Sequence, residues 1–415
     1  MKDWNQIPFF AALDWARQHH DIVVVDSAGR ITESFRFAHS AEGWQQLRAR
    51  LERFGPELPI AVETSLGSAV DQLLAASLQV FPVNPKQAER FRERKAPSGV
   101  KDDFLDAWSL ADALRTDGQH WRQLLPQDPL CAELRLLCRD EVCLIEERTA
   151  LVNQLIQCLH DYYPAALEAF DDFTQPYTWA FVTRFPTPKL LKQAGKRGWE
   201  RFLHMHKLWR PETAEKRLEI FARADVFCAS AVTIAAKSLM ACSLAKLLLA
   251  LENQIEQFRK RIRELFNQHP DHDLFGSLPG SGPKIGPRLL SEIGSNREIF
   301  TTPESLQSFA GTAPRCLQSG KFREVKIRQA CNKSLRSALH YFADQSRTRC
   351  IWASVYYQQH RLKGHGHADT LRRLAQRWLK IIWKMWQTHT DYNEALHIQN
   401  QVSHGSWFVS FKPET

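Results

Sequence analysis

No Cys-x-x-Cys pair occurs anywhere in this 415-residue chain. Its nine cysteines stand at positions 131, 138, 143, 158, 228, 242, 316, 331 and 350, most among apolar neighbours in helically spaced stretches. So scattered and odd a set argues against a disulfide framework or a structural zinc site, and it suits reduced, buried thiols. A secretory start is also missing, because Met1-Lys2-Asp3-Trp4-Asn5-Gln6 leads into no apolar run with a small-residue cleavage site. No stretch approaches about 18 uncharged apolar residues; the nearest, Phe227 to Leu251, is broken by Lys237 and Lys246. The expectation is a cytoplasmic protein with no membrane partner. With 18 Gly and 20 Pro, the chain is neither collagen-like nor of low complexity.

What is present is a folded-protein composition, 44% hydrophobic and 24% charged, in a chain long enough for two to four domains. Lys and Arg number 55 against 46 Asp and Glu, a formal charge of +9. That excess is local. Between Leu278 and Lys384 there are 19 Lys/Arg and six Asp/Glu, a surplus of 13, so the rest of the chain nets about −4. A concentrated basic block is the electrostatic footprint of nucleic-acid binding.

Along the chain, periods change in an ordered way. Phe9 to Asp14, Asp21 to Asp26, Ile31 to Phe37, Leu58 to Glu63 and Gln79 to Val83 read as strands. Ser40 caps a helix with apolar Trp44, Leu47 and Leu51, a second helix runs through Asp71 to Leu74, and another opens at Lys101-Asp102-Asp103. The order βββαβαβα predicts an α/β layer. From Pro129 to Gln268 no strand is expected. Leu244, Leu248, Leu251, Ile255, Phe258, Ile262 and Leu265 form a 4-3 seam, which fits either two long helices paired within the chain or a coiled coil between chains. Shorter helices are expected over 186–206 and 211–224. The division expected is 1–125, 126–270 and 271–415.

Two strands end on acids, Asp14 and Glu63, and the helix after Lys101 carries Asp103 and Asp106 on one face. Sites in open α/β sheets assemble at the carboxyl ends of strands. Carboxylates gathered there need divalent cations, and a hard, oxygen-ligated Mg²⁺ suits phosphodiester chemistry. The same acids also fit plain strand-end and helix-cap roles, and spacing alone leaves both open.

Farther on, Leu278-Pro279-Gly280-Ser281-Gly282-Pro283-Lys284 leads into a helix, a turn that can present backbone N–H groups to a phosphate. It looks like a helix-hairpin-helix element. Ala310-Gly311-Thr312-Ala313-Pro314, Arg315 to Lys321 with Ser319-Gly320, and Asn332-Lys333-Ser334 follow. The two blocks together resemble the DEDD insertion-sequence transposases, Piv-like invertase relatives that act as bridge-RNA-guided recombinases. The first is similar at Ala12-Leu13-Asp14, Val62-Glu63-Thr64 and Asp103-x-x-Asp106-Ala107. It departs at Ala12, where Gly is usual, and at Asp102, which leaves a one-residue shift to Asp102 with Asp106 as the alternative pairing.

The resemblance implies an RNase H-like (RuvC-like) first domain, a helical coiled-coil middle and a mainly helical C-terminal transposase domain. It implies a catalytic, Mg²⁺-binding tetrad of Asp14, Glu63, Asp103 and Asp106, with Ser319 as nucleophile for a phosphoserine link to DNA. Gly280, Gly282, Lys284, Arg315, Lys321, Arg323, Lys326 and Lys333 are the expected nucleic-acid contacts. Implied partners are target and donor double-stranded DNA, a noncoding guide RNA and further copies, as dimer and tetramer, on a prokaryotic nucleoid. The rival expectation is a metal-dependent nuclease or junction resolvase in which the acids activate water. A third is a scaffold whose acids are structural. The Lys363-Gly364-His365-Gly366-His367 loop and the Trp378, Trp383 and Trp386 helix read first as a polar turn and as core packing.

Overall fold

The structure, a computed structural model, describes residues 4–65, 67–95, 102–125, 128–224, 229–320 and 322–405. The chain divides into two compact units, residues 1–127 and 128–415.

In the first unit β1 (Phe9–Trp15), β2 (His19–Asp26), β3 (Ile31–Ala38), β4 (Pro59–Val62) and β5 (Gln79–Pro82) form one sheet in the order β3-β2-β1-β4-β5. β1, β2 and β3 run antiparallel, whereas β4 and β5 lie parallel to β1. Successive side chains on a strand point to opposite faces. Ala11 and Leu13 accordingly pack under α1 (Ala41–Leu51) and α2 (Ser68–Ala75). Phe10 and Ala12 pack under α3 (Pro85–Lys95) and α4 (Asp103–Asp117). Helices on both faces explain why β1 reads as an unbroken apolar run. Ser40 caps α1 as expected, its Oγ accepting from the Gly43 N–H at 3.2 Å. This mixed sheet is consistent with an RNase H-like fold.

The second unit is built on two long helices, α5 (Pro129–Tyr162) and α10 (Ala231–Gln268). They run antiparallel, since Glu141 meets Arg259, Arg148 meets Glu252 and Asp161 meets Lys237. Leu244, Leu248, Ile255, Ile262 and Leu265 of the seam are buried, so much of that stripe finds its partner within the chain. By length and composition α10 could cross a membrane, with an 18-residue window of mean hydropathy 1.7 of which 22% is buried. Lys237 and Lys246, expected to disqualify the stretch, leave that average high.

Between the long helices, α6 (Pro164–Ala169), α7 (Pro176–Arg184), α8 (Pro188–Met205) and α9 (Pro211–Ala222) close an aromatic core around Trp179, Phe181 and Trp199. At the other end, Leu134, Cys138, Ile262 and Leu265 join a second core. It is formed with α11 (His272–Gly276), α12 (Gly282–Ile293), α13 (Pro303–Phe309), α14 (Lys333–Arg349), α15 (Ile351–Leu362) and α16 (His367–Thr388). A last helix, α17 (Glu394–Ser403), follows. The region read as mainly helical also holds a hairpin, β6 (Arg315–Ser319) with β7 (Phe322–Lys326).

Candidate active site

Strand alternation decides where the four acids go. Ala12 and Ala61 pack toward α4, so Asp14 and Glu63, each two residues on, continue those rows on the same face. Leu13 pairs with Val62 across β1 and β4, which sets Asp14 and Glu63 side by side. Asp103 and Asp106 lie in the first turn of α4, above that edge. Burial and repulsion from Asp106, Asp103, Glu63 and Asp21 push the Asp14 carboxyl up to about 7. Asp102 is the N-cap residue of α4, and its charge is not among those that raise Asp14.

Two arginines neutralise part of that charge. Arg92 on α3 reaches both oxygens of Asp106, at 3.0 and 3.1 Å. Arg36 on β3 is held by Asp21, with Nε at 3.0 Å and Nη2 at 2.8 Å, and its Nη2 also reaches Asp103 at 2.9 Å. Cross-strand register explains the row, because Asp14 faces Asp21 and Asp21 faces Arg36. Asp21 and both arginines escaped the sequence reading. Asp21 and Arg36 carry an alternation signal, but α3 has a single buried residue, Ala88, and so no apolar period to reveal it. An all-oxygen donor set with one carboxyl held near 7 by burial and by its acidic neighbours fits a hard divalent cation, which relieves both.

Ser319 is the last residue of β6, facing Phe322 across the turn at Gly320, whose φ is +56°. The two-residue turn requires that positive φ. No residue of either strand is buried, and the Phe322 and Val325 side chains are each 59% exposed. Arg315 and Lys326 pair at the hairpin base on the Ser319 face, about 13 Å away at 3.3 Å per residue. Arg323 faces Gln318, one step from the turn, and Lys321 lies outside the described residues. The base itself is tied down. Gly311 (φ +69°) packs on Cys331, and the Asn332 N–H donates to the Phe309 carbonyl at 2.8 Å. Asn332 Nδ2 donates to Glu292 at 2.7 Å, and Lys333 opens α14. Gly280 and Gly282 precede and begin α12, with φ of +83° and +52°. A Cβ on Gly280 would lie 3.0 Å from Gln345 Cβ, so that turn also serves close packing on α14. Lys284, one turn on, is exposed.

Comparison with known proteins decides the family. A transposase model of the DEDD, IS110 type matches residues 11–164, and the model for the IS116/IS110/IS902 transposase family matches residues 272–358. The "Mini-circle putative transposase for IS117" of Streptomyces coelicolor is 31% identical, covering 94% of this chain and 96% of that protein. The chain belongs to the IS110/IS116 transposase family. Other relatives are the IS116 44.8 kDa protein of Streptomyces clavuligerus, 28% identical over 91% of this chain and 94% of that protein, and the IS900 42 kDa protein of Mycobacterium paratuberculosis. The latter is 25% identical over 94% of this chain and 98% of its own length.

It is thus a DNA transposase of an insertion sequence, and transposases of the DEDD type use divalent metal ions. The first family match contains all four acids and the second contains Ser319. Other clusters in the transposase are structural. Asp128, Cys131 and His269 bring ligand atoms within 4.8 Å of one another. His269 Nδ1 accepts from the Asp271 N–H at 3.0 Å, so Nε2 carries the ring proton and donates to Cys131 Sγ at 3.2 Å. A nitrogen so protonated has no lone pair for a metal. His365 meets Asp369 and His367 meets the Tyr357 hydroxyl, as a polar turn requires. Trp378 and Trp386 are fully buried, and Trp383 donates to the Phe300 carbonyl at 2.7 Å, so these rings serve the core.

Proposed function

We propose that this transposase cleaves and rejoins DNA through a covalent phosphoserine. In this reading Asp14, Glu63, Asp103 and Asp106 hold Mg²⁺ and Ser319 supplies the nucleophile. The observation that carries the metal half is the convergence of the four carboxylates at one sheet edge, with Asp14 pushed up to about 7. The serine half rests on its place at the tip of an exposed arm inside the second family match, together with the motif resemblance. Bound at the carboxylates, Mg²⁺ supplies Lewis-acid polarisation of a phosphodiester. Ser319 Oγ attacks phosphorus and releases its proton, the P–O bond to one sugar breaks, and the departing sugar oxygen takes up a proton. One phosphodiester is exchanged for another, so strand exchange needs no external energy source. Gly280, Gly282, Lys284, Arg315, Lys321, Arg323, Lys326 and Lys333 contact the nucleic-acid backbone. A structured noncoding RNA selects target and donor DNA, and the protein acts as a dimer or tetramer in which the basic block supplies the grip.

The competing reading, a resolvase-like nuclease whose acids activate water, is favoured by the same carboxylate cluster, which needs no serine for that chemistry. Incubating protein, Mg²⁺, guide RNA and end-labelled DNA separates the two. A protein–DNA adduct lost in both Ser319→Ala and Asp14→Ala supports the covalent route. Adduct-free cleavage that survives Ser319→Ala overturns it.

A further inference from the structure

Arg92 and Arg36 occupy carboxylate oxygens that a divalent cation also needs. Arg92 Nη1 lies 3.0 and 3.1 Å from the two oxygens of Asp106, and Arg36 Nη2 lies 2.9 Å from Asp103 Oδ2. A guanidinium and a metal ion compete for these atoms, because the cations repel and each draws on the same carboxylate charge. Both arginines are anchored independently of the tetrad. Arg36 keeps Asp21 through Nε and Nη2. The helix that carries Arg92 is fastened to α4 by Lys95 and Arg94 on Asp112, at 2.5 and 3.3 Å. Breaking the Asp103 and Asp106 contacts therefore leaves each side chain beside the site. The Arg36 side chain is 54% exposed and that of Arg92 is 23% exposed, so a phosphate can reach both.

We propose that Arg36 and Arg92 are exchangeable counter-ions of the carboxylate site: they compete with the divalent cation for Asp103 and Asp106, and once displaced they bind phosphates of the DNA. This rests on the carboxylates being the metal site. In the exchange the metal takes over neutralisation of the carboxylates that each guanidinium gives up. The same two positive charges become available where a polyanion must approach. Loading the site and gripping DNA are thereby coupled.

The test is calorimetric titration of the full-length protein with Mg²⁺ at low salt, for wild type, Arg36→Gln, Arg92→Gln, Arg92→Lys and Asp14→Asn. Removing a competitor tightens Mg²⁺ binding, by about tenfold for Arg92→Gln, which frees two oxygen contacts, and by less for Arg36→Gln. Arg92→Lys, with a point charge in place of the fork, falls between wild type and Arg92→Gln. Circular dichroism confirms that each variant is folded. With Ca²⁺ saturating the site, each arginine-to-glutamine variant lowers the slope of log DNA affinity against log salt by about one. Unchanged or weaker Mg²⁺ binding in folded arginine variants, while Asp14→Asn abolishes binding, overturns the competition and leaves the metal site standing. Binding unaffected by Asp14→Asn overturns the metal site itself, and the competition with it. Tighter binding with unchanged salt slopes overturns the transfer to DNA.

Discussion

Asp14 and Ser319 each stand at the end of a β-strand, yet their surroundings are opposite in kind. β1 is flanked by β2 and β4 and covered on both faces, with Phe10 to Leu13 almost wholly buried. β6 has one neighbour, and no residue of either strand of the hairpin is buried. A lone two-stranded ribbon is marginal by itself, so this one depends on its anchored base. Like charges can be kept together only by a framework that prevents them from drifting apart, and a five-stranded sheet does that. A hydroxyl that is to stay bonded to a DNA end through strand exchange gains from a compliant mount. The difference matches the two chemical tasks proposed.

The largest expected effect separates the two mounts. Ser319→Ala lowers the protein–DNA adduct by about 10³-fold or more, while Mg²⁺ affinity and melting temperature stay at wild-type values. An adduct at normal yield in gel analysis breaks the comparison. Next comes Glu292→Ala, which takes the buried carboxylate from Arg139, leaves Arg135 on the Ser291 carbonyl and releases Asn332 at the hairpin base. Breaking a buried pair costs about 3–5 kcal/mol. Hydrogen exchange should show α12 and α14 losing protection while α1 to α4 keep theirs; uniform loss would contradict the division into two units.

Gly311→Ala is expected to cost about 1–3 kcal/mol, because φ is +69° and the new Cβ would lie 2.5 Å from Cys331 Sγ. Adding Cys331→Ala removes the Sγ but leaves the Cβ at 2.7 Å and the backbone strain, so denaturant unfolding should recover only part of the loss. A smaller, pH-dependent effect concerns Asp14. Its folded value of about 7 exceeds the ordinary 3.8, so between those pH values the folded state holds a proton that the unfolded chain has lost. Stability of the first unit should thus fall as pH rises from 4 to 7. Without added metal, Asp14→Asn should melt higher than wild type at pH 8 and converge with it near pH 4; parallel curves would refute the raised value. Phe322→Ser closes the series at under about 0.5 kcal/mol, since its exposed ring supports no core.

The sequence made the rigid half legible and hid the compliant one, for a physical reason. The apolar runs of β1 and β4 are recorded in the sequence, so the two acids that follow them could be read directly. The 4-3 stripe of α10 was equally plain, but spacing does not say which helix fills the seam; α5 does. A hairpin exposed on both faces leaves no period to detect, and β6 and β7 went unseen behind the Ser-Gly turn. Arg36 and Arg92 were invisible for another reason. Their partners are fixed by strand register and by a nearly all-polar helix, which the local pattern does not encode. The tryptophans of α16 were as legible as the strands, since their helical spacing reads as core packing and Trp378 and Trp386 lie in the core.

The ion pairs along α5 and α10 have one more consequence. Glu133 with Arg261, Glu141 with Arg259, Arg148 with Glu252 and Asp161 with Lys237 would all be lost together if either helix slid by a turn. The pair is therefore a gauge bar of fixed length. Thirty-four residues of α5 at 1.5 Å each make about 51 Å. That is about one and a half turns of duplex. A straight duplex laid along the bar would turn its major groove toward one end and its minor groove toward the other.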